Sequence, residues 1–227
     1  MVDGKAMINI VYEDNHLLVV EKPVNMPVQA DSSHDKDLLT LLKTYLKQKY
    51  HKPGNVYLGL IHRLDRPVGG LMVLAKTSKA ASRLSEQIRN HQFQKTYLAV
   101  VQGPLKPVDT FIDKILKDPK TNQVTINDKG KSAELSYQCL ATKGEFSLVQ
   151  IALKTGRSHQ IRIQFSSRKA PLYGDQKYNS HTPKDQIALF ANQLEFIHPI
   201  SKETLVFKLP MPKRYPFNLF NSNGLQK

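Results

Sequence analysis

The first residues able to do chemistry together lie between Leu60 and Leu71, where Asp65 stands between Arg63 and Arg66. Positive charge close to a carboxylate lowers its pKa, so we expect Asp65 to be ionised at neutral pH. An ionised carboxylate can act as a nucleophile or as a proton acceptor. The alternative is a structural ion pair or a turn-capping aspartate, which is the better interpretation when such a string stands alone.

The elements around Asp65 are expected to hold it at the end of a strand. One apolar run predicts a strand over Tyr57–Ile61, and a second predicts a buried strand over Leu71–Ala75. Between them, the residues Pro67–Gly70 predict a sharp turn, because proline and glycine interrupt regular structure. Asp65 would then lie on a loop between rigid elements, a common position for functional side chains.

The charge of the chain favours a polyanionic partner. The formal net charge is +14 and the pI is about 9.7, with the cations dispersed along the sequence. Such a charge fits nucleic acid or an anionic surface, although a basic surface that only keeps the protein in solution is the alternative. The single cysteine, Cys139, excludes an internal disulfide and fits a reducing cytoplasm.

The length of 227 residues and the apolar content of 40% predict one folded domain. No run of about 18 apolar residues is present, so we expect no membrane-spanning segment. The eight histidines form no cluster with metal-ligand spacing, and no glycine-rich phosphate loop occurs. We therefore expect neither a metal nor a cofactor.

Periodicity and turn residues predict helices and strands along the rest of the chain. The first helix should be capped by Ser33 or Asp35, and the second by Thr77 or Ser78. The stretch Pro104–Lys131 is polar and rich in turn residues, which predicts an exposed excursion with short strands. The predicted helices are Asp37–Lys49 and a second one that starts at its Thr77 or Ser78 cap and ends at about His91. The remaining predicted elements are a hairpin over Ile8–Pro23, a strand over Gln94–Gly103, a hairpin formed by Ala133–Ala141 and Glu145–Leu153, and closing strands over Ile187–Ile197 and Thr204–Leu209.

Several motifs together resemble the RluA-type pseudouridine synthases. The string His62-Arg63-Leu64-Asp65-Arg66 resembles the central motif of that family, in which the aspartate is catalytic. Lys95-Thr96-Tyr97 resembles the Lys-x-Tyr motif. A third signature, Thr-Gly-Arg-x-His-Gln-Ile-Arg, matches Thr155 to Arg162 and enters a predicted helix. The family's Gly-Asp-x-x-Tyr continuation matches Gly174 to Tyr178, and its opening Lys-Pro matches Lys22-Pro23.

The resemblance covers residues 8–212 and leaves a basic tail over 213–227 within the single catalytic domain, residues 1–227. The ribosomal-protein-like domain that many relatives carry at the N-terminus is expected to be absent, since the catalytic pattern starts by Ile8. The chain departs from the family at Pro67–Gly70, where Thr-Ser-Gly is common, and at Gln164, where a histidine is usual. These departures bear on target preference and leave the expected chemistry intact.

The fold that the resemblance implies is α/β, with a central mixed but mainly antiparallel sheet, flanking helices and a central cleft. The resemblance also implies three catalytic residues. Asp65 is the catalytic carboxylate, Arg162 pairs with it, and Tyr97 packs against the uracil. The substrate-binding residues implied in the same way are Arg63, Arg66 and Arg157. Arg63 would occupy the gap that a flipped uridine leaves in the base stack.

The function implied is the site-specific isomerisation of uridine to pseudouridine in a stem-loop of ribosomal or transfer RNA. We expect a cytoplasmic monomer that acts on RNA and binds neither DNA nor membranes. One alternative is a non-catalytic RNA-binding protein or RNA chaperone on the same fold. Another is a nuclease, which the lack of clustered carboxylates and histidines disfavours.

Overall fold

The structure of the protein, a computed structural model, describes residues 8–220. Within them lie eleven strands, three α-helices and one short 3-10 helix. The strands are β1 (Asn9–Glu13), β2 (Leu17–Lys22), β3 (Gly59–Leu60), β4 (Gly69–Ala75), β5 (Gln94–Gln102), β6 (Val108–Lys117), β7 (Val124–Ile126), β8 (Lys131–Lys143), β9 (Phe146–Leu153), β10 (Leu189–Ile197) and β11 (Thr204–Lys208). The helices are α1 (Leu38–Lys49), α2 (Ser78–Arg89) and α3 (Gln160–Ser166), followed by the 3-10 helix Phe217–Phe220.

The described chain divides into two compact units. Unit 1 contains residues 8–93 and 193–209, and unit 2 contains residues 94–192 and 210–220. The chain therefore passes between the units at the start of β5, within β10 and after β11. The expectation of one catalytic domain stays a prediction, and residues 221–227 of the expected tail lie outside the described residues.

Unit 1 is centred on β2 and β4, which pair antiparallel from Leu17 opposite Ala75 to Lys22 opposite Gly70. Leu17–Val20 and Leu71–Ala75 are fully buried, as expected for continuous apolar runs. β1 pairs antiparallel with β2, β3 with β4, and β11 with the end of β10. The predicted first hairpin, the buried strand before Ala75 and the two closing strands are therefore confirmed.

The helices of unit 1 show which cap predictions hold. Thr77 caps α2 by accepting a hydrogen bond from the Ala80 N–H, which confirms one of the two predicted caps. The prediction of Ser33 or Asp35 as the cap of α1 is wrong. The cap is Asp37, whose Oδ1 accepts from the Thr40 N–H at 2.9 Å, because it directly precedes the first helical residue.

Unit 2 contains the strand order β5-β9-β8-β6-β7, with each neighbouring pair antiparallel. The predicted hairpin around Gly144 is confirmed as β8 and β9. The stretch 104–131 contains a strand of ten residues, β6, which is longer than the short strands predicted there. Its interior side carries Phe111, whose ring packs 5.0 Å from Phe165 of α3 and 5.1 Å from Tyr137.

The pairings described above are all antiparallel, and helices accompany the strands, so the predicted α/β class with a mainly antiparallel sheet is confirmed. The central cleft stays a prediction. No helix in the part of the chain that the structure describes is long and apolar enough to cross a membrane.

Candidate active site

Asp65 lies on the connection between β3 and β4 in unit 1, and its side chain is half-buried. The residues on either side anchor this connection, since Leu64 and Val68 are both buried. The Asp65 carbonyl accepts a hydrogen bond from the Val68 N–H at 2.9 Å, which closes a turn. A rigid loop therefore presents the carboxylate, as the sequence predicts.

The turn after Asp65 begins two residues earlier than the predicted turn at Pro67–Gly70, which is therefore wrong in position. Gly69 and Gly70 belong to β4, where Gly70 pairs with Lys22 and has a φ of 119°. A Cβ at Gly69 would lie 3.0 Å from Val24 Cγ1 and 3.2 Å from the Lys22 carbonyl oxygen, so glycine here allows the backbone of Lys22 to approach closely. The predicted strand at Tyr57–Ile61 is reduced to β3, two residues long.

A buried lysine forms hydrogen bonds with the backbone of the Asp65 loop. The Lys22 side chain is 1% exposed, and its Nζ donates to the carbonyls of Pro23 (2.9 Å), Met26 (2.7 Å) and Arg66 (3.0 Å). Three acceptors match the three donors of an ammonium group. Lys22 thus ties the chain after β2 to the residue that follows Asp65.

The charge of Lys22 is coupled to that of Asp65. The pKa of Lys22 is lowered to about 7. Burial is the main cause and the positive charge of Arg66 acts in the same direction, whereas the negative charge of Asp65 partly opposes them. The sequence analysis assigned no role to Lys22. The signal that could have revealed it is a cation at the end of an otherwise apolar buried strand, directly before a proline.

The two arginines that flank Asp65 in sequence are exposed and have different environments. Arg66 donates to Ser33 Oγ at 2.9 Å and forms an ion pair with Asp35. Arg63 makes no hydrogen bond or ion pair with the residues that the structure describes. Its guanidinium is therefore accessible to a ligand.

His62 contacts the backbone and an aromatic ring of unit 1. Its Nε2 accepts a hydrogen bond from the Val73 N–H of β4 at 3.2 Å, and its ring packs 5.6 Å from that of Phe93. A ring nitrogen that accepts a backbone hydrogen bond carries no proton there. His62 therefore orients the chain before Asp65.

In unit 2, the predicted signature Thr155 to Arg162 forms a hydrogen-bonded turn into α3. The buried Gln160 side chain lies at its centre: Oε1 accepts from Thr155 Oγ1 at 2.8 Å and from the Arg157 N–H at 3.0 Å. Its Nε2 donates to the Glu134 carbonyl at 3.1 Å. These contacts explain why threonine and glutamine occur at this spacing. The Arg157 side chain is exposed, and its Nε donates to the Ser132 carbonyl.

Arg162 is buried in unit 2 and forms an ion pair with Asp175. Its Nε and Nη2 donate to the two Asp175 carboxylate oxygens at 2.8 Å and 2.7 Å, a bidentate pair. The guanidinium also lies 5.2 Å from the centre of the Tyr178 ring, whose hydroxyl contacts His159 Nδ1 at 2.7 Å. The Gly-Asp-x-x-Tyr motif therefore orients Arg162, a partnership that the sequence analysis did not assign.

Tyr97 lies in β5, opposite Ile151 of β9, and is 6% exposed. The structure thus places Tyr97 and Arg162 in unit 2 and Asp65 in unit 1. The expected pairing of Arg162 with Asp65 stays a prediction.

The departures from the family pattern are interior residues, except for the half-buried Pro67. Gln164 is fully buried, and its Nε2 donates to Asp113 Oδ2 at 2.6 Å and to the Phe111 carbonyl at 3.3 Å. Val68, Gly69 and Gly70 are likewise buried. Any effect of these residues on target preference must therefore act through the packing of their units.

The side chains of residues 8–220 form no group of three or more histidine, cysteine, aspartate or glutamate residues that could hold a metal ion. The site residues predicted from the sequence instead contribute one carboxylate, several guanidinium groups and a tyrosine. These groups suit proton transfer, covalent attack by a carboxylate and the recognition of anionic or aromatic ligands.

Comparison with known proteins identifies the class. The family model for RNA pseudouridylate synthase matches residues 16–167. A ribosomal large subunit pseudouridine synthase D of Xanthomonas campestris pv. campestris is 31% identical, over 91% of this chain and 66% of its own length. An uncharacterized RNA pseudouridine synthase, YlyB, of Bacillus subtilis is 35% identical, over 91% of this chain and 70% of its own length.

The fold is shared with a solved structure. The solved structure of human RNA pseudouridylate synthase domain containing 4 superposes with a TM-score of 0.78 at 23% identity, covering 93% of this chain and 92% of that one. The protein described here belongs to the RNA pseudouridylate synthase family, and the predicted class of enzyme, a pseudouridine synthase, is confirmed. The chain spans about two thirds of the length of the curated relatives named above.

Proposed function

We propose that this protein isomerises uridine to pseudouridine in structured RNA, with Asp65 as the catalytic carboxylate. The observation that carries the proposal is the family match over residues 16–167, which contains Asp65, Tyr97 and Arg162. The local geometry supports it, because the Asp65 loop is fixed by buried neighbours and by the hydrogen bonds of Lys22.

The proposed reaction breaks the bond between the ribose and a ring nitrogen of uracil, rotates the base and joins the ribose to a ring carbon. The proton on that carbon must leave, and the freed nitrogen ends with a proton, so the product has the same atoms as the substrate. No oxidant, reductant or energy source is needed. Asp65 supplies the carboxylate that attacks the nucleoside or accepts a proton from it.

The other proposed roles follow from the chemistry of each side chain. Tyr97 packs on the uracil, and its hydroxyl assists removal of the proton from the rejoining carbon. Arg162, oriented by Asp175, supplies a positive charge that pairs with the catalytic carboxylate and orients it. Arg63 fills the stack vacated by the flipped uridine with its planar guanidinium, while Arg66 and Arg157 bind RNA phosphates.

We propose ribosomal RNA as the first substrate to test. The Xanthomonas relative is named as a ribosomal large subunit enzyme, and the net charge of +14 fits a large RNA. Transfer RNA is the second candidate. The proposed location is the cytoplasm, where both RNAs are present, and the proposed active form is a monomer.

The experiment that tests the proposal is a map of pseudouridines in total RNA from cells with and without the gene. We expect at least one pseudouridine to disappear on deletion and to return with a plasmid that encodes the wild-type protein. The Asp65→Asn variant should not restore it. Identical maps in all four strains would refute the enzymatic proposal and leave the RNA-chaperone alternative.

A further inference from the structure

Lys95 is a half-buried cation of unit 2 to which the proposed mechanism assigns no role. It lies in β5, two residues before Tyr97. Side chains two positions apart in a strand point to the same face of the sheet, so Lys95 and Tyr97 share a face of β5. Any base that packs on Tyr97 would bring its own sugar and phosphates towards this part of the strand.

The Lys95 ammonium group packs against the signature loop that leads to Arg162. A Cβ added at Gly156 would lie 3.0 Å from Lys95 Nζ, and no other heavy atom outside its chain neighbours would lie within 4 Å. Glycine at this position therefore leaves room for the ammonium beside the loop backbone. The loop itself is fixed by the hydrogen bonds of Gln160.

The ammonium of Lys95 has no hydrogen bond or ion pair with any residue in the range 8–220. Burial lowers its pKa, and no carboxylate opposes that effect. Lys22, the fully buried lysine of unit 1, instead donates to three carbonyl oxygens. A desolvated cation without an acceptor is unfavourable, so its presence calls for an anionic partner supplied from outside the chain.

We propose that Lys95 binds a backbone phosphate of the RNA adjacent to the uridine that packs on Tyr97, with Gly156 leaving room for the Lys95 ammonium beside the signature loop. The inference rests on the proposed function and adds a specific phosphate contact to it. Lys95 is then a substrate-positioning residue: it fixes the nucleotide along β5 and takes no part in proton transfer.

The test measures the affinity of the wild type and of Lys95→Met for a short unstructured RNA with a single uridine. Two further RNAs carry one neutral methylphosphonate, placed immediately 5′ or 3′ of that uridine. We expect Lys95→Met to weaken binding of the all-phosphate RNA about tenfold, the size of one good charged contact. On one of the two neutral RNAs, wild type and variant should bind equally, because the partner of Lys95 is already gone.

Two variants serve as controls. Lys154→Met removes an equal charge from an exposed lysine that pairs with Glu134 at 3.0 Å, and its effect should be the same on all three RNAs. Gly156→Ala leaves Lys95 in place but crowds its ammonium, so it should reproduce the Lys95 pattern at smaller size. Gly156→Ala also provides the test if Lys95→Met does not fold, as judged by thermal unfolding.

The inference is overturned if the Lys95→Met defect persists on both neutral RNAs, or if the variant binds the all-phosphate RNA like the wild type. This readout is an affinity, so it does not depend on turnover. The proposed function fails separately, if the wild type binds RNA but forms no pseudouridine in it.

Discussion

The carboxylate of Glu13 gives a prediction whose size can be worked out from the structure. Its side chain is 7% exposed, and it accepts hydrogen bonds from Lys49 (2.8 Å), Tyr50 (2.6 Å), Lys76 (2.9 Å) and Tyr45 (2.8 Å). Burial raises the pKa of Glu13, but these four hydrogen bonds outweigh it and lower the pKa from 4.5 to about 2.

The lowered pKa determines how stability depends on pH. A carboxyl group with a lower pKa in the folded state stabilises the protein above its unfolded pKa, and this stabilisation is lost as the pH falls towards the folded pKa. At 1.36 kcal/mol per pKa unit, Glu13 contributes about 3 kcal/mol near neutral pH. Glu13→Gln should therefore lower the free energy of unfolding by about 3 kcal/mol at about pH 7.

The assay is urea unfolding of the wild type and Glu13→Gln at several pH values between about 7 and about 3. The difference between the two proteins should shrink steadily below about pH 4.5, since the wild type then loses the charge that the variant lacks. Glu21→Gln is a matched control, because within residues 8–220 the Glu21 carboxylate of β2 accepts a single hydrogen bond, from Asn9 Nδ2 at 3.2 Å. A difference that is constant across this range would refute the assignment of stability to the ionised Glu13 carboxylate.

Three further predictions concern the site. Asp175→Asn removes the carboxylate that forms the buried bidentate pair with Arg162 and should destabilise the protein by about 3–5 kcal/mol in urea unfolding; a change below about 1 kcal/mol would contradict the importance of that pair. Arg63→Ala should slow single-turnover pseudouridine formation on a stem-loop much more than on an unstructured RNA, and equal defects would show that Arg63 does not fill a vacated stack. Pseudouridine formation should survive treatment with EDTA and dialysis, with the fold of the RNA checked separately. An activity that is lost and returns only when a divalent ion is added would contradict metal-independent chemistry.

The sequence predicts β2 and β4 of unit 1 well because both are continuous apolar runs that become buried. Leu17–Val20 and Leu71–Ala75 are such runs, and the Asp14 turn between β1 and β2 is marked by a side chain that accepts from two backbone N–H groups. Thr77 is likewise a local signal, since an N-cap depends only on the residues that follow it.

The sequence does not show partnerships between residues far apart in the chain. The contact of Lys22 with the Arg66 carbonyl spans 44 positions, and Arg162 meets Asp175 through a turn whose geometry no periodicity describes. In α2, Arg83 is half-buried and donates to the Pro199 carbonyl at 2.7 Å, a contact that spans 116 positions. Such contacts depend on tertiary packing, so local pattern gives the elements and leaves their polar connections open.

The most direct test of the central claim is the single-turnover rate of pseudouridine formation by Asp65→Asn on the RNA that the mapping experiment identifies. Asp128→Asn, a substitution in an exposed turn, is the matched control and should react like the wild type. The account predicts that Asp65→Asn forms no measurable pseudouridine while its RNA affinity and unfolding curve stay close to those of the wild type. A residual rate within about tenfold of the wild type, a barrier change of only about 1.4 kcal/mol, would contradict a catalytic role for Asp65.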